Sequence, residues 1–210
     1  MSVLAPELAS AGLIVGERVS ETDPKSEDAD LVKRTIAGDE AAFKRLVSKY
    51  QRLAHHTAYG FLNDEHMAHD VSQEAFVRVF RKLRSYDPSR SFATWLRRIV
   101  ANLSIDELRR RRRRPEAPLD EGMAEGGDKG ADPVARAERA EEQEAVWRVL
   151  DRLPIKYRTV MVLREIEGLP YEEIAQVLRK PEASVRWRLH RARKLFREEW
   201  LAMNEAERVQ

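Results

Sequence analysis

The chain has 210 residues and no cysteine, which excludes disulfide bonds and thiolate metal sites. No apolar run approaches the roughly 20 residues needed to span a bilayer, and no basic leader precedes the short apolar patch near the N-terminus, so we expect a cytoplasmic protein without membrane insertion. The 38 lysines and arginines nearly balance the 36 aspartates and glutamates, but two basic stretches, 97–114 and 179–197, flank an acidic one. This segregation of charge indicates two places that bind a polyanion, with nucleic acid as the leading candidate.

The first part of the chain predicts a tail followed by helices. Residues 1–27 mix Pro, Gly, Ser and acids without periodicity, which predicts a disordered tail. From Asp28 onward apolar residues recur at three- and four-residue steps, with Gly38 as an interruption. Asn63 or Asp64 could cap the next helix. The apolar stripe predicted for that helix consists of Val71, Ala75, Phe76, Val79, Phe80 and Leu83.

The stretch SFATWLRRIVANLSIDELRRRRRR, residues 91–114, predicts a helix with an aromatic start, an apolar middle and an arginine-rich end. The turn formers of SYDPSRS, residues 85–91, predict a loop before it. Its predicted buried face consists of Phe92, Trp95, Leu96, Ile99, Leu103 and Leu108. Because Phe92 and Trp95 lie on this apolar stripe, core packing is favoured for them over stacking on nucleic acid bases.

After this helix the periodicity stops and then resumes. Residues 115–134 are rich in Pro, Gly and acids and predict a flexible linker. Helical pattern returns near Ala135, breaks at GLP (168–170) and resumes afterwards, and no β-alternating run is seen. The predicted fold is therefore all-α. It has two small helical domains, 28–114 and 135–203, joined by the linker 115–134 and followed by a C-terminal tail, 204–210.

The segment LPYEEIAQVLRKPEASVRWRLHRARKLF, residues 169–196, predicts a helix-turn-helix. Pro170 and Pro181, each followed by glutamate within two residues, mark two helix starts. Val185 and Leu189 anchor the second helix, which would lie in a major groove. The side chains expected to project outward are Arg186, Trp187, His190, Arg191 and Arg193. Arginine forks suit guanine edges or phosphates, whereas Trp187 could either pack against the first helix or present an apolar edge to a base.

At these residues the segment resembles the C-terminal domain of bacterial sigma factors, in particular the compact extracytoplasmic-function group. The resemblance implies that the second helix recognises the upstream, minus-thirty-five promoter element. The family pattern there is glycine, threonine, valine, a basic residue, serine, arginine and leucine. Here those places hold Ala183, Ser184, Val185, Arg186, Trp187, Arg188 and Leu189, and Trp187 in place of the small serine is the largest departure. The candidate residues for upstream DNA are Ser184, Arg186, Trp187, His190, Arg191 and Arg193.

The stretches DVSQEAFVRVFRKL (70–83) and DPSRSFATWLRRIVANLSIDELRRR are similar to the other conserved domain of that family. The resemblance implies docking on the clamp helices of the beta-prime subunit of core RNA polymerase, with the flap region of the beta subunit as a second contact. The candidate docking residues are Asp70, Gln73, Glu74 and Arg78. It also implies capture of the melted minus-ten strand by a loop and helix carrying Asp87, Ser89, Arg90, Ser91, Arg98, Asn102, Asp106 and Arg109. Members of this group are commonly held inactive by an anti-sigma factor, so such a partner is expected, and no cofactor is.

Two magnitudes bear on this interpretation. Unstacking DNA costs about 1.4 kcal/mol per base step. The free-energy cost of opening about a dozen base pairs is therefore larger than the binding free energy of one or two captured bases, and a polymerase must keep the remaining bases unpaired. The predicted linker reaches roughly 65–70 Å when extended, close to the length of two turns of B-DNA. Its acidity could prevent the basic domains from folding back, or could direct it into a basic channel.

Other classes of function are less well supported by the residues. A stand-alone regulator could use the same helix-turn-helix on duplex operators, with residues 28–114 serving ligand or dimer contacts. A protein-interaction module would not need the arginine-dense helix. His66 and His69, near Asp70 and the His55–His56 pair, are more typical of a helix surface than of a metal site. No nucleophile–base pair or phosphate-binding glycine loop indicates catalysis, so the chain is not expected to be an enzyme.

Overall fold

The computed structural model describes the backbone of residues 24–113 and 133–208, and within them the side chains of residues 26–113 and 141–205. Every regular element in these ranges is helical, which confirms the predicted all-α fold. The described residues form two units, 24–113 and 133–208. Most of the predicted tail and linker, residues 1–23 and 114–132, lie outside the described residues. Within the described ranges, no helix has both the length and the apolar composition needed to cross a bilayer.

The first unit consists of four α-helices and a short 3₁₀ turn. Helix α1 spans Pro24–Ile36, α2 spans Glu40–Leu62, α3 spans Glu65–Lys82 and α4 spans Phe92–Arg113, and the 3₁₀ turn Leu83–Ser85 follows α3. Helix α2 packs against the other three, and α3 also packs against α4. The helical pattern was predicted to start at Asp28, but α1 already begins at Pro24. The predicted tail therefore ends earlier than residue 27.

The breaks between these helices follow from individual residues. Gly38, with φ of +97°, separates α1 from α2, and the Asp39 side chain then accepts a hydrogen bond from the Ala42 N–H. Asn63 closes α2 in the left-handed conformation, whereas Asp64 caps α3 by accepting from the Met67 N–H at 2.9 Å. Of the two predicted capping residues, Asp64 is therefore the N-cap.

Helix α1 is fastened to α2 by a buried carboxylate. Asp28 is buried and accepts hydrogen bonds from the Tyr50 hydroxyl at 2.5 Å and the Lys49 ammonium at 2.8 Å. A buried carboxylate is costly unless it is paired and hydrogen-bonded, and both conditions are met here. This pairing explains why a charged residue can begin the periodic segment.

The core of the first unit largely matches the predicted stripes. Phe92 and Trp95 are buried with Tyr50 and Tyr86, with ring centroids 4.9–5.6 Å apart, which confirms core packing for both. Phe80 differs from the prediction, since it is 59% exposed. It lies about 100° around α3 from the fully buried Val79, and its ring packs edge-on against the Phe43 ring with centroids 5.1 Å apart.

One further position on α4 departs from the predicted buried face. Ile99 is half-buried, whereas its neighbour Val100 is fully buried. The line of contact runs through Leu96, Val100 and Leu103 at helical spacing, and Ile99 lies at the margin of that line. Leu108 is buried, as predicted.

The second unit is built around its last helix. Helix α5 spans Pro133–Arg152, α6 spans Ile155–Met161, a π-helical turn covers Val162–Ile166, α7 spans Tyr171–Leu178 and α8 spans Glu182–Arg208. Helix α8 packs against α5, α6 and α7. It extends past the predicted domain end at residue 203, and Met203 is buried as a continuation of its apolar stripe. The predicted tail 204–210 is therefore helical as far as Arg208.

Helical spacing in the sequence predicts buried apolar residues from α5 through to the π-helical turn, and the structure buries them. These are Val146, Trp147, Leu150, Leu153, Val160, Leu163 and Ile166. In α7 the sequence pattern predicts an inner face of Ile174, Ala175 and Leu178, but the structure buries Ile174 and Val177, while Ala175 and Leu178 are half-buried. Helix α7 has only two turns, and its buried face consists of Ile174 and Val177, which are neighbours at i, i+3 spacing.

Candidate nucleic-acid interface

A tight turn sets the relative placement of α7 and α8. Arg179 closes α7 with φ of +51°, and the Lys180 N–H donates to the Ala175 carbonyl at 3.0 Å. The Pro181 carbonyl then accepts from the Ser184 and Val185 N–H groups at 2.9 and 3.2 Å, which begins α8. A left-handed residue at the end of a helix is the usual means of satisfying its last carbonyls. The predicted helix-turn-helix is present in the described residues.

Helix α8 has one buried face and one exposed basic face. Val185, Leu189, Ala192 and Phe196 are buried. The exposed side chains in the same stretch are those of Arg186, Trp187, His190 and Arg191, and Ser184 is half-buried. Trp187 is 60% exposed, so of the two alternatives left open by the sequence, internal packing is excluded. Five of the six predicted upstream-DNA residues therefore share an accessible surface.

Arg193 departs from the predicted outward projection. Its Nε and Nη2 donate to the Glu165 Oε1 at 2.9 and 2.6 Å, and the two side chains are only 27% and 11% exposed. This ion pair joins α8 to the π-helical turn. Periodicity could not predict it, because the partners lie 28 positions apart in the sequence.

Arg186 is positioned by two residues that the sequence interpretation missed. Its Nε donates to the Glu182 Oε1 at 2.9 Å, and its Nη2 donates to the same oxygen. Its guanidinium also lies over the Tyr171 ring at 4.6 Å, a cation–π arrangement. The guanidinium of Arg164 approaches that ring as well, at 5.0 Å. The i, i+4 spacing of Glu182 and Arg186 is visible in the sequence, whereas the contact with Tyr171 depends on the turn between the helices.

The predicted docking residues of α3 lie on its outer surface. Asp70 and Gln73 are exposed, and Gln73 Nε2 lies 2.7 Å from His69 Nε2. Glu74 and Arg78 are half-buried and form an ion pair of 3.0 Å. Among the described residues, no group of histidine and carboxylate side chains is arranged to hold a metal ion.

The loop between the 3₁₀ turn and α4 is held by its own side chains. Asp87 Oδ1 accepts from the Ser89 hydroxyl at 2.7 Å and from the Ser89 N–H at 3.0 Å. These hydrogen bonds hold the pKa of the Asp87 carboxyl below its usual value. The Tyr86 hydroxyl donates to the Arg90 carbonyl at 2.6 Å, and burial raises the pKa of Tyr86 to about 12. Ser91 Oγ accepts from the Thr94 N–H and starts α4.

The predicted line of polar residues on α4 is accessible along most of its length. Asn102, Asp106 and Arg109 are exposed, and Arg98 is half-buried. Asp106 and Arg109 form an ion pair of 3.3 Å. Together with the exposed Asp87, Ser89 and Arg90 and the half-buried Ser91, these residues provide amide, hydroxyl, carboxylate and guanidinium groups on one helix and the loop before it.

The arginine-rich end of α4 is not uniformly available for phosphate contacts. Arg111 is 29% exposed in its side chain and pairs with Asp64 at 2.8 Å, which ties the end of α4 to the N-cap of α3. Arg110 pairs with Glu107 at 2.8 Å but remains exposed. Arg111 therefore has a structural partner and is half-buried, whereas the other arginines of this end, Arg109, Arg110, Arg112 and Arg113, are exposed.

Comparison with protein families matches both units. A family model described as Sigma-70 region 2 matches residues 46–114, and one described as Sigma-70, region 4 matches residues 143–196. The RNA polymerase sigma-H factor of Pseudomonas aeruginosa is 37% identical over 176 residues, which cover 80% of this chain and 91% of that protein. The ECF RNA polymerase sigma factor SigW of Bacillus subtilis is 34% identical, over 80% of this chain and 94% of that protein. The ECF sigma factor SigE of Mycolicibacterium smegmatis is 35% identical, over 99% of this chain and 82% of that protein.

Solved structures are similar as well. CnrH in complex with the cytosolic domain of CnrY has a TM-score of 0.57 and 28% identity, over 85% of this chain and 97% of that one. The sigma factor RpoE of Bartonella quintana, in complex with the anti-sigma factor NepR, has a TM-score of 0.56 at 17% identity, over 75% of this chain and 95% of that one. At that identity the second similarity concerns the fold alone.

Proposed function

Since this chain belongs to the sigma-70 family of RNA polymerase sigma factors, in its extracytoplasmic-function group, we propose that it selects promoters through two separate DNA contacts. As an alternative sigma factor it directs transcription initiation. Helix α8 recognises the duplex minus-thirty-five element, and the loop 87–91 with α4 captures the non-template strand of the melted minus-ten element. Helix α3 docks on the polymerase.

The observation that carries this proposal is the exposed basic face of α8. Arg186 and Arg191 are exposed there, while Val185 and Leu189 hold the opposite face in the core. A B-DNA major groove about 12 Å wide admits such a helix. Arg186, held by Glu182 and the Tyr171 ring, meets the groove with part of its conformational freedom already lost on folding. A positioned guanidinium suits guanine O6 and N7, whereas the exposed Arg191 suits a phosphate.

We assign strand capture to polar groups, because the aromatic residues nearest the loop are buried in the protein core. Phe92 and Trp95 are buried in the core and do not offer a free face for stacking. Asn102 is exposed on α4 and carries both a donor and an acceptor for a base edge. Arg109 and Arg110, toward the end of the same helix, suit phosphates. A flipped base requires such polar groups along its edge.

Docking on core polymerase is assigned to the outer surface of α3. The exposed Asp70 and Gln73 and the Glu74–Arg78 pair provide charged and amide groups at helical spacing. Opening about a dozen base pairs costs more free energy than captured bases return, at about 1.4 kcal/mol per step. The chain therefore acts as part of a polymerase holoenzyme, with the clamp helices of the beta-prime subunit as the partner of α3 and the flap of the beta subunit as the partner of the second unit.

Regulation by a protein partner is part of the same proposal. The structure of CnrH was solved in complex with the cytosolic domain of CnrY. CnrH is 28% identical to this chain, and the similarity covers 85% of this chain. By similarity, we assign to this chain an inhibitory anti-sigma partner that covers its polymerase-binding surfaces. Its place of action is the cytoplasm, where polymerase and promoter DNA are found.

The decisive experiment is in vitro transcription with core RNA polymerase on a pool of genomic promoter fragments, with and without this chain. Addition of the chain is expected to create new start sites, and the chain is expected to co-purify with core. If no start site appears and the chain does not associate with core, it is instead a stand-alone regulator that binds duplex operators.

The division of labour between the two units has its own test. Asn102→Ala is expected to slow open-complex formation, measured by permanganate reactivity of unpaired thymines, while duplex binding at the upstream element stays unchanged. Asn204→Ala makes the same chemical change near the end of α8 and serves as the matched control. Equal loss of melting and of duplex binding in Asn102→Ala would contradict the assignment of α4 to the melted strand.

A further inference from the structure

The indole of Trp187 is a feature of α8 that the basic character of the helix does not explain. Its side chain is 60% exposed, and it takes no part in the aromatic contacts found among the described residues. Trp is normally highly buried, and exposed apolar patches on soluble proteins often mark binding sites. The indole is therefore placed where a binding partner would cover it.

The position of Trp187 on the helix directs it away from the core. It lies two positions from both Val185 and Leu189, which places it about 200° around the helix from each. Both of those residues are buried. Ala183, one turn earlier on the same face, is exposed and small, so it leaves room for close approach of a partner. Arg191, one turn later, is exposed and cationic.

The charged residues near Trp187 indicate which kind of partner binds over the indole. Arg186, His190 and Arg191 are exposed within four positions of Trp187 on the same helix, and the two arginines favour a polyanion. Trp187 also belongs to the first two turns of α8, and in helix-turn-helix proteins these turns approach the base edges in the major groove. The apolar group that a major groove presents at base edges is the C5-methyl of thymine. The flat, apolar indole of Trp187 can therefore make an apolar contact with a thymine methyl group in duplex DNA.

We propose that Trp187 recognises a thymine of the upstream promoter element through apolar contact between the indole and the C5-methyl group. This inference rests on the proposed function, because it requires α8 to lie in the major groove. It adds a preference that arginine forks do not supply, since those select guanine or phosphate.

The test uses holoenzyme assembled from core polymerase and the full chain. A template pool with a randomised upstream region is first selected for transcription. The enriched sequence is then synthesised with each thymine replaced singly by deoxyuridine, which keeps pairing with adenine and lacks the methyl group. One such replacement is expected to weaken promoter binding about fourfold, the size expected for burial of one methyl group.

Two variants identify the residue responsible. Trp187→Ser is expected to bind the thymine and deoxyuridine templates equally at that position. Leu201→Ser removes another exposed apolar side chain of α8, 54% exposed, and is expected to keep the fourfold difference. Because both side chains are exposed, neither variant should change the thermal unfolding of the protein by more than a small amount.

The outcomes separate this inference from the proposed function. Enrichment of an upstream sequence without any deoxyuridine effect, or an effect that persists in Trp187→Ser, overturns the thymine contact and leaves promoter selection intact. If Trp187→Ser instead loses binding to a protein partner while promoter binding is unchanged, the indole is a protein contact and the inference fails. If the pool yields no enriched upstream sequence, the proposed function of α8 is itself overturned.

Discussion

Replacing Arg193 by alanine distinguishes a structural arginine from a DNA-binding one. In the native protein the Arg193 guanidinium donates twice to Glu165, whose side chain is 11% exposed. Removing the guanidinium leaves that carboxylate largely buried without its partner. Hydrogen bonds to charged groups contribute about 1.5–3 kcal/mol, so the second unit should lose about 2 kcal/mol of unfolding free energy. For a unit of this size, a loss of that magnitude lowers Tm by about 8–16 °C.

Arg191→Ala is the matched control, because Arg191 lies on the exposed face two positions earlier. Exposed substitutions usually change stability by less than about 0.5 kcal/mol. Arg191→Ala should instead reduce the slope of log affinity against log salt by about one, since it removes one phosphate contact. Calorimetry of the full chain measures Tm, and anisotropy of a labelled promoter fragment with holoenzyme measures the salt slope.

A double-mutant cycle completes this test. Glu165→Ala should destabilise the second unit, and combining it with Arg193→Ala should cost much less than the sum of the two, because both remove the same pair. The reasoning is refuted if Arg193→Ala leaves Tm unchanged and lowers the salt slope. In that case Arg193 contacts DNA, as the sequence pattern indicated.

Substitutions at three further positions test other contacts. Asp64→Ala removes both the Met67 cap and the Arg111 pair, so urea unfolding should show a loss of about 1–2 kcal/mol. Asp64→Ser keeps a capping side chain and should recover most of the lost unfolding free energy. Equal losses in the two variants would show that the Arg111 ion pair, and not the cap, provides most of the stabilisation. The folded-state pKa of Tyr86, about 12, lies above its ordinary value of 10. The contribution of the protonated Tyr86 hydroxyl to the free energy of unfolding is therefore complete below pH 10 and is lost as pH rises toward 12. Tyr86→Phe should reduce the fall in unfolding free energy between pH 10 and pH 12, measured by urea unfolding at a series of pH values, and an unchanged fall would contradict this role of Tyr86. Glu182→Gln loosens Arg186 and removes a negative charge beside DNA, so the ratio of promoter to non-promoter binding should fall severalfold; a constant ratio would show that Glu182 does not position Arg186.

Local signals predicted the helices well. Gly38 marks a break that is visible in the sequence and is present in the structure, and Asp64 is one of the two capping residues that the sequence offered. Trp95 was assigned to the core from its place on an apolar stripe, and it packs there against Tyr86 and Phe92. Each of these features depends on neighbours within a turn or two of the chain, where periodicity is informative.

The features that were missed depend on distant partners or on the exact direction of a face. Arg193 and Arg111 look like free cations in the sequence, but Glu165 and Asp64 lie 28 and 47 positions away and pair with them. Phe80 fits the spacing of the α3 stripe, yet it is exposed because the contact line centres on Val79. The accessible part of the candidate site, including Asn102, was predicted because exposure follows the same helical period as burial.

The hydrogen bond from the Tyr86 hydroxyl to the Arg90 carbonyl has a consequence for the rate of the proposed strand capture. One end of the loop is anchored in the core by the Tyr86 ring, and its middle is closed on itself by Asp87 and Ser89. A nucleotide would thus meet a loop that its own hydrogen bonds already order, so binding would cost little further conformational entropy. Breathing of the duplex, and not a rearrangement of the protein, would then limit how fast the first base is trapped.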